Sequence, residues 1–385
     1  MLTLAAVVTL LIWIYLAAAH GRFWQISRFT PAEVKSAGEA KSIAIIVPAR
    51  NEAEFVGPCV SSLLRQEGGH RVSIFLVDDH SSDGTADIAR RAAEAAGFSE
   101  RLTVLTGLPL PAGWSGKLWA VQQGVEQARA LHPDFLLLTD ADIEHGARSL
   151  ATLVEVAESG GFDLASFMVK LYCKSVAERA LVPAFVYFFF QLYPPQWISS
   201  PSRKTAGAAG GSILIRPAAL ERAGGIAAIR NEIIDDCALA RAVKRSGGKV
   251  WLGMTQEAGS IRPYGSWAEI GRMISRSAFN QLQHSGWLLL LALAGMTVTY
   301  LLPPSLALFS RSLVPSLLGA AAGATMTWTF LPIVRFYRLS PLWALALPLI
   351  AIFYMGATFH SAFKFWNGRG GEWKGRVQDP ARGGE

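Results

Sequence analysis

The sequence predicts an α/β fold with a mainly parallel sheet, joined to apolar helices long enough to cross a membrane. Two observations carry this. From Ser42 onward, short apolar runs alternate with longer mixed segments of helical composition, the pattern of strand, crossover helix and strand. Long uncharged stretches stand only at the start of the chain and near its end, while the charged residues concentrate between them.

The strand-like runs are Ile43 to Val47, Val72 to Val77, Leu102 to Leu105 and Phe135 to Leu138. Between them, Glu54 to Arg65, Thr85 to Ala96 and Lys117 to Leu131 have helical composition. Open sheets of this kind gather ligands at the carboxyl ends of their strands, and the polar motifs of this chain fall there.

The apolar stretches set the remaining boundaries. Leu2 to Ala19 carries no charge and is about the length of a span. Small residues at Ala17 to Ala19 resemble a signal-peptide cleavage site, but no basic residue precedes the stretch, whereas Arg22, Arg28, Lys35 and Lys41 follow it. That charge bias predicts an uncleaved anchor with the following region in the cytosol. Trp287 to Phe309, Leu313 to Val334 and Leu342 to Phe359 read as three further spans. Pro303 and Pro304 offer the alternative of a re-entrant hairpin in the first. Four spans would put the basic tail outside, which the positive-inside rule opposes, so the side of the tail stays open. Trp267 to Leu282 places Trp267, Ile270, Ile274, Ala278 and Leu282 on one helical face, the form of an interfacial amphipathic helix. Leu181 to Ile198 is aromatic but interrupted by Pro183, Pro194 and Pro195; it reads either as a membrane-surface or groove-lining segment or as an internal core helix. The expected organisation is an anchor over 1–22, an α/β domain over 42–260, an interfacial helix over 261–286, membrane helices over 287–363 and a disordered tail over 364–385.

Composition agrees. Hydrophobic residues make up 51% of the 385, too many for a wholly soluble chain. The net charge of +7 comes largely from basic residues flanking the apolar runs, and no basic stripe interleaved with aromatics suggests nucleic-acid binding. Cys59, Cys173 and Cys237 are widely spaced and outside any CxxC pattern, so neither a disulfide framework nor a zinc site is indicated.

The chemistry-bearing residues follow the strands. The first strand ends in Pro48-Ala49-Arg50-Asn51-Glu52 and the second in Asp78-Asp79-His80-Ser81-Ser82-Asp83-Gly84-Thr85. Asp79 is placed to accept the imide proton of a uracil, whereas Ser82, Asp83 and Thr85 read better as caps of the next helix. The fourth strand delivers Asp140-Ala141-Asp142; residues i and i+2 of an extended chain point the same way, so both carboxylates could share a divalent cation, Mg²⁺ or Mn²⁺. Lys117 opens a helix, where it either approaches a diphosphate or stays solvated. Asp235-Asp236 precedes a helix-like run: the pair either caps that helix or supplies a general base. Gly207 to Ser212 leaves backbone open to close approach.

Together these motifs resemble family 2 glycosyltransferases of the GT-A fold. The resemblance rests on Pro48 to Glu52, Asp78 to Thr85, Gly116-Lys117, Asp140 to Asp142, Gly210 to Arg216 with Gly224-Gly225, and Asp235-Asp236, in the family's order over more than half the chain. With the Pro111-Ala-Gly-Trp-Ser-Gly-Lys-Leu-Trp-Ala120 segment and the carboxy-terminal spans, it is similar to bacterial hopene-associated glycosyltransferases. The resemblance implies that Pro48, Arg50, Glu52, Asp79, Lys117 and Asp140 bind a nucleotide sugar, that Asp140 and Asp142 hold the metal, and that Asp236, beside Asp235, is the base. It implies an inverting, metal-dependent transfer from a UDP-sugar to a membrane lipid such as a hopanoid, at the bacterial inner membrane with the catalytic domain facing the cytosol. The alternatives are a polyprenyl-phosphate sugar synthase and a catalytically silent scaffold. The family's usual Glu-Asp pair is Asp235-Asp236 here, and Arg272-Met-Ile-Ser-Arg276 stands where processive members carry Gln-x-x-Arg-Trp, which points to transfer of a single sugar.

Overall fold

The computed structural model describes residues 1–32, 39–368, 372–373 and 376–377. Two compact units are formed, one chiefly from Ser27–Tyr172 and Trp197–Arg262, the other from Met1–Ile26, Cys173–Gln196 and Pro263–Gly371.

The first unit is the α/β domain. Its strands are β1 (Ser42–Ala49), β2 (Arg71–Asp78), β3 (Leu102–Thr106), β4 (Phe135–Leu138), β5 (Ile143–His145), β6 (Leu164–Lys170), β7 (Ile213–Ile215) and β8 (Val250–Ser260). They form one sheet in the order β3-β2-β1-β4-β7-β6-β8-β5. β1 to β4 pair in parallel, as the βαβ pattern requires, while β7 and β5 run antiparallel to their neighbours. Of the four strands legible in the sequence, β1 and β4 are buried almost throughout, β2 is mostly buried, and β3, at the edge of the sheet, is only partly covered. The others are short or, like β8, end in polar residues.

β1 is buried throughout after Ser42. Ile43, Ile45 and Val47 pack with Val60 and Leu63 of helix Val56–Leu64 and with Ile74 and Leu76 of β2. On the opposite face, helix Gly116–Ala128 comes so close that a Cβ at Gly124 would lie 2.6 Å from Ile46 Cγ2. A helical glycine costs about 1 kcal/mol against alanine, and here it lets the helix bearing Lys117 seat directly on the strands.

The second edge matters for function. The register between β6 and β8 shifts after Met168, from Met168 opposite Met254 to Lys170 opposite Gly259. The bulged β8 then pairs with β5, Ile143 facing Ser260, and Ile261 N donates to Asp142 O at 2.9 Å. This pairing carries Arg262 to the turn that holds Asp142.

The other unit is helical. Gly286–Phe309, Leu313–Phe336 and Pro341–Trp366 are long and apolar enough to cross a membrane, and Leu2–Ala18 is a shorter apolar helix. Leu290, Leu308, Leu317, Leu349 and Phe359 lie exposed on these helices, as lipid-facing side chains do. The first span is one helix with a π turn at Thr297–Leu301, not a re-entrant hairpin. Pro303 has no N–H for Thr299 O; Trp13 Nε1 donates to that carbonyl at 2.7 Å, and Thr9 Oγ1 donates to Val298 O at 2.8 Å. The amino-terminal helix thus satisfies backbone that proline leaves open, a requirement in hydrocarbon.

Of the aromatic segment Leu181 to Ile198, the part up to Leu192 lies in a core helix, Val176–Leu192, with Ala180, Leu181, Val186, Tyr187 and Phe190 buried, and the rest enters a separate short helix, Pro195–Ser199. It starts at a Ser175–Glu178 capping box, and Glu178 also accepts from Tyr264 N. The amphipathic helix is Trp267–Gln281. Its buried residues Ser275 and Phe279 meet Ser361 through hydrogen bonds, so this face packs on protein; Trp267 is 47% exposed. The expected tail boundary moves, because helix Leu347–Trp366 runs past residue 364. Beyond it Glu372–Trp373 pairs with Arg376–Val377, and residues 369–371, 374–375 and 378–385, like Lys35, lie outside the described residues.

Candidate functional site

The carboxyl ends of β1 and β4, the amino ends of helices Gly116–Ala128 and Asp235–Arg245, and the glycine-rich segment around Gly210 form an open cleft lined by Pro48, Lys117, Asp140, Gly210, Asp235 and Asp236 among others. Lys117 Nζ lies 3.0 Å from Asp140 Oδ1 and 3.0 Å from Asp235 Oδ2. Gly210 N donates to Asp236 Oδ2 at 3.0 Å, and Cys237 N donates to Asp236 Oδ1 at 2.7 Å. A Cβ on Gly210 would stand within 3.7 Å of Lys117 Nζ, Asp140 Oδ2 and Asp236 Oδ2. Charged atoms from three elements therefore meet around Gly210.

Sequence position explains this convergence. Ser115 caps the helix carrying Lys117 by accepting from Leu118 N. Asp235 and Asp236 occupy the first turn of their helix, where its dipole favours negative charge. The capping reading of this pair is partly realised, since Asp236 accepts from Cys237 N, but the same carboxylate also faces the cleft.

The electrostatics are strongly coupled. Burial opposes the charge of Lys117, but Asp140 and Asp235 outweigh it and hold its pKa above the ordinary lysine value. Burial, with Asp142 and Asp235 nearby, pushes Asp140 up against the pull of Lys117. Asp236 is pushed up to about 6, first by burial and then by Asp235, with Lys117 and the two N–H donors acting in the opposite sense. A carboxyl poised near neutrality suits proton transfer.

The β1 and β2 ends meet as their register demands, Ala49 opposite Asp78. Arg50 Nη1 donates to Asp79 O at 2.6 Å and pairs with Asp79 Oδ2 at 3.3 Å, and Asp79 is 4% exposed. Asp83 accepts from Ala53 N and from Thr85 N and Oγ1, while Glu52 N donates to Thr85 Oγ1. These bonds outweigh burial and hold the Asp83 pKa below the ordinary carboxylate value. Asp83 and Thr85 are thus taken up in joining the two loops.

Asp142 departs from the extended-chain premise. β4 ends at Leu138, and Ala141-Asp142 form a turn. Asp140 faces the cleft, whereas Asp142 Oδ2 accepts from Arg262 Nε at 2.7 Å; the same guanidinium donates to Glu52 Oε2 and lies 4.3 Å from the centre of the Phe55 ring. The two carboxylates are held by different cations on different elements. Among the described residues no group of three or more His, Cys, Asp or Glu side chains is gathered to hold a metal.

Two residues here escape sequence reasoning. Arg262 lies 120 residues from Asp142 and 210 from Glu52, and only the β5–β8 pairing brings them together. His145 is a lone histidine, 5% exposed. Its Nε2 lies 3.0 Å from Thr139 Oγ1, which donates its single proton to Gly211 O at 2.7 Å. The hydroxyl must then accept from His145, so Nε2 carries the hydrogen and Nδ1 is left to accept from Ser149 Oγ at 3.4 Å. Burial lowers the His145 pKa to about 4, keeping it neutral. The chain from His145 through Thr139 to Gly211 ties the residue before Asp140 to the residue after Gly210.

His145→Ala is expected to lower kcat about tenfold to a hundredfold by loosening both segments, and His145→Gln, which keeps a donor at the Nε2 position, should recover most of it. The folded pKa is depressed, so the stability tied to neutral His145 is present above its ordinary 6.5 and lost as pH falls toward about 4. Thermal melting of His145→Gln should accordingly depend less on pH across that window.

Comparison with known proteins shows which domain the chain carries. The family model described as Glycosyl transferase family 2 matches residues 44–224. The chain carries a family 2 glycosyltransferase domain. The match stops before Asp235, Asp236 and Arg262, which join the site through the fold. Over 126 residues the chain is 32% identical to the undecaprenyl-phosphate 4-deoxy-4-formamido-L-arabinose transferase of Pseudomonas syringae pv. syringae, covering 31% of this chain and 34% of that protein. Over 111 residues it is 33% identical to the 4,4'-diaponeurosporenoate glycosyltransferase of Staphylococcus haemolyticus, covering 29% of this chain and 27% of that one. The chain thus spans about a third of the length of the curated relatives it matches. Among solved structures, the mannosyltransferase PcManGT from Pyrobaculum calidifontis, in complex with GDP-Man and Mn2+, superposes with a TM-score of 0.58 at 16% identity, covering 95% of this chain and 99% of that one. At that identity the likeness speaks for the fold, and the family 2 domain has the GT-A architecture.

Proposed function

We propose that this protein moves a single sugar from a nucleotide diphosphate donor, a UDP-sugar, to a lipid acceptor at a bacterial inner membrane, with its family 2 domain in the cytosol. The observation that carries the reading is the convergence of Lys117, Asp140, Asp235 and Asp236 around Gly210, in a cleft at the carboxyl ends of β1 and β4. Three span-length helices in the same chain keep the enzyme in the bilayer, where lipid acceptors reside.

In this reading Asp79, steadied by Arg50, accepts the imide proton of the base, beside Pro48 and Glu52. Lys117 faces the diphosphate and stabilises the charge that grows on it as the glycosidic bond breaks. Asp236 takes the acceptor proton while the hydroxyl oxygen attacks the anomeric carbon from the face opposite the leaving diphosphate, so one displacement inverts that centre. Asp235 holds Lys117 and raises the pKa of Asp236. Asp140 and Asp142 are hard oxygen donors beyond one strand end, each drawing a cation in this structure, and they would hold a Mg²⁺ or Mn²⁺ ion with diphosphate and water completing its ligands. Bound there, such an ion would supply Lewis-acid stabilisation of the leaving group; the Mn2+ bound by the Pyrobaculum mannosyltransferase supports this assignment.

A hopanoid hydroxyl is the acceptor favoured by the sequence resemblance. The Pseudomonas relative, named for an undecaprenyl-phosphate acceptor, supports a second reading in which a lipid phosphate attacks. Incubating the full-length protein in detergent with radiolabelled UDP- or GDP-sugars, a divalent cation and bacterial lipid extract tests both. A labelled lipid stable to mild acid supports the hydroxyl acceptor, and one hydrolysed by mild acid supports the phosphate. Absence of nucleotide release with every donor would leave only the silent scaffold.

A further inference from the structure

Arg262 occupies the place where a cation of the site is expected. Its guanidinium bridges Glu52 and Asp142 and rests on the Phe55 ring, with its side chain 30% exposed and those of Glu52 and Asp142 10% and 18%. Arg262 Nε approaches Asp142 at 2.7 Å, the length of a strong charge-assisted bond. The contact is built by the sheet, since the Ile143–Ser260 pairing fixes both chain segments. Any divalent ion that takes Asp142 as a ligand must compete with this guanidinium. The protein offers such an ion little in return, because no third candidate ligand is gathered among the described residues and Asp140 is itself engaged by Lys117. A hard divalent cation needs around six oxygens.

We propose that Arg262 is a resident counter-ion of the Asp142 carboxylate, which keeps the nucleotide-free domain from holding a divalent metal and makes metal binding depend on the incoming diphosphate. The diphosphate supplies the missing oxygen ligands and, at the same time, an anion for the guanidinium that gives up Asp142. The exchange conserves charge pairing: before it, Arg262 faces Asp142; after it, the metal faces Asp142 and the freed guanidinium faces the diphosphate or keeps Glu52 alone. The diphosphate half of this proposal rests on the donor reading above; the competition at Asp142 does not.

The test is Mn²⁺ binding, read by electron paramagnetic resonance on the full-length protein in detergent. Without nucleotide, wild type is expected to bind Mn²⁺ weakly and Arg262→Gln to bind it at least about tenfold more tightly, within the range by which neighbours of metal ligands tune affinity. A purely structural arginine would give the opposite sign, since its loss would loosen the ligand. Adding UDP should tighten Mn²⁺ strongly in wild type and much less in Arg262→Gln, because the variant no longer has a competitor to displace. Arg262→Lys, which keeps the charge but cannot span both carboxylates, should fall between the two and serves if the glutamine variant does not fold. Equal or tighter nucleotide-free Mn²⁺ binding by wild type than by both variants would overturn the proposal. Failure of UDP to bind wild type, alongside tighter Mn²⁺ in the variants, would uphold the competition at Asp142 and count against the donor reading alone.

Discussion

Asp236→Asn is expected to lower kcat with a hydroxyl acceptor about a thousandfold, the scale of a lost general base, while donor KM stays near wild type. The substitution is nearly isosteric. Its carbonyl oxygen can still accept from Cys237 N, but its amide then faces Gly210 N without accepting, at a cost of about 1 kcal/mol. In wild type the acidic limb of kcat/KM should fall near pH 6, where Asp236 loses its proton, and the variant should lack that limb. The stability consequence has the opposite sense to a salt-bridged carboxylate. The folded pKa lies above the ordinary 3.8, so the folded state binds this proton more tightly, and stability falls as pH rises from 3.8 through about 6. Asp236→Asn removes that penalty and should melt no lower than wild type at neutral pH, the usual sign of a group kept for function at some expense to the fold. Steady-state kinetics and melting curves across pH 4 to 9 check both. Undiminished turnover by Asp236→Asn would end the base assignment and favour a lipid phosphate, which arrives already ionised.

The sequence made the first half of the domain legible because its strands are apolar runs of four to eight residues separated by segments of helical composition. Helix Thr85–Ala96 has the expected ends, and the strand-end motifs Pro48 to Glu52 and Asp78 to Thr85 meet as two adjacent parallel strands must. The second half was not legible as strands. β5 and β7 span three residues each, too short for a period to show, and β8 carries a bulge that interrupts its alternation. The consequence for the site is specific. Lys117, Asp140, Asp235 and Asp236 could be nominated because each lies just after a strand or at a helix start. Arg262 could not, because its position depends on the β5–β8 pairing, and the extended-chain picture of Asp140 and Asp142 failed because the chain turns at Ala141. His145 follows Asp142 closely, yet nothing local separates it from an ordinary buried histidine; only its placement against Thr139 does so.

Lys117→Met should be the second most damaging change, and its effects separate into three measurable parts. First, the leaving diphosphate loses a preorganised cation, which typically costs about 10²–10³ in kcat. Second, Asp140 and Asp235 lose a partner 3.0 Å from each. Their side chains are 36% and 22% exposed, so water offsets part of the loss, and destabilisation should stay below the ~3 kcal/mol of breaking a fully buried pair. Third, the ammonium lowers the pKa of Asp236, so its removal must raise that pKa and move the acidic limb of the residual activity above pH 6. The three parts respond differently to a second change. Asp235→Asn in the Lys117→Met background removes one of the stranded carboxylates and one of the charges that raise Asp236. Stability should then recover and the limb should return toward its wild-type position, while kcat stays low because no cation faces the diphosphate. If the double variant instead regains activity along with stability, Lys117 only holds the acids apart, and leaving-group stabilisation must be assigned elsewhere in the cleft.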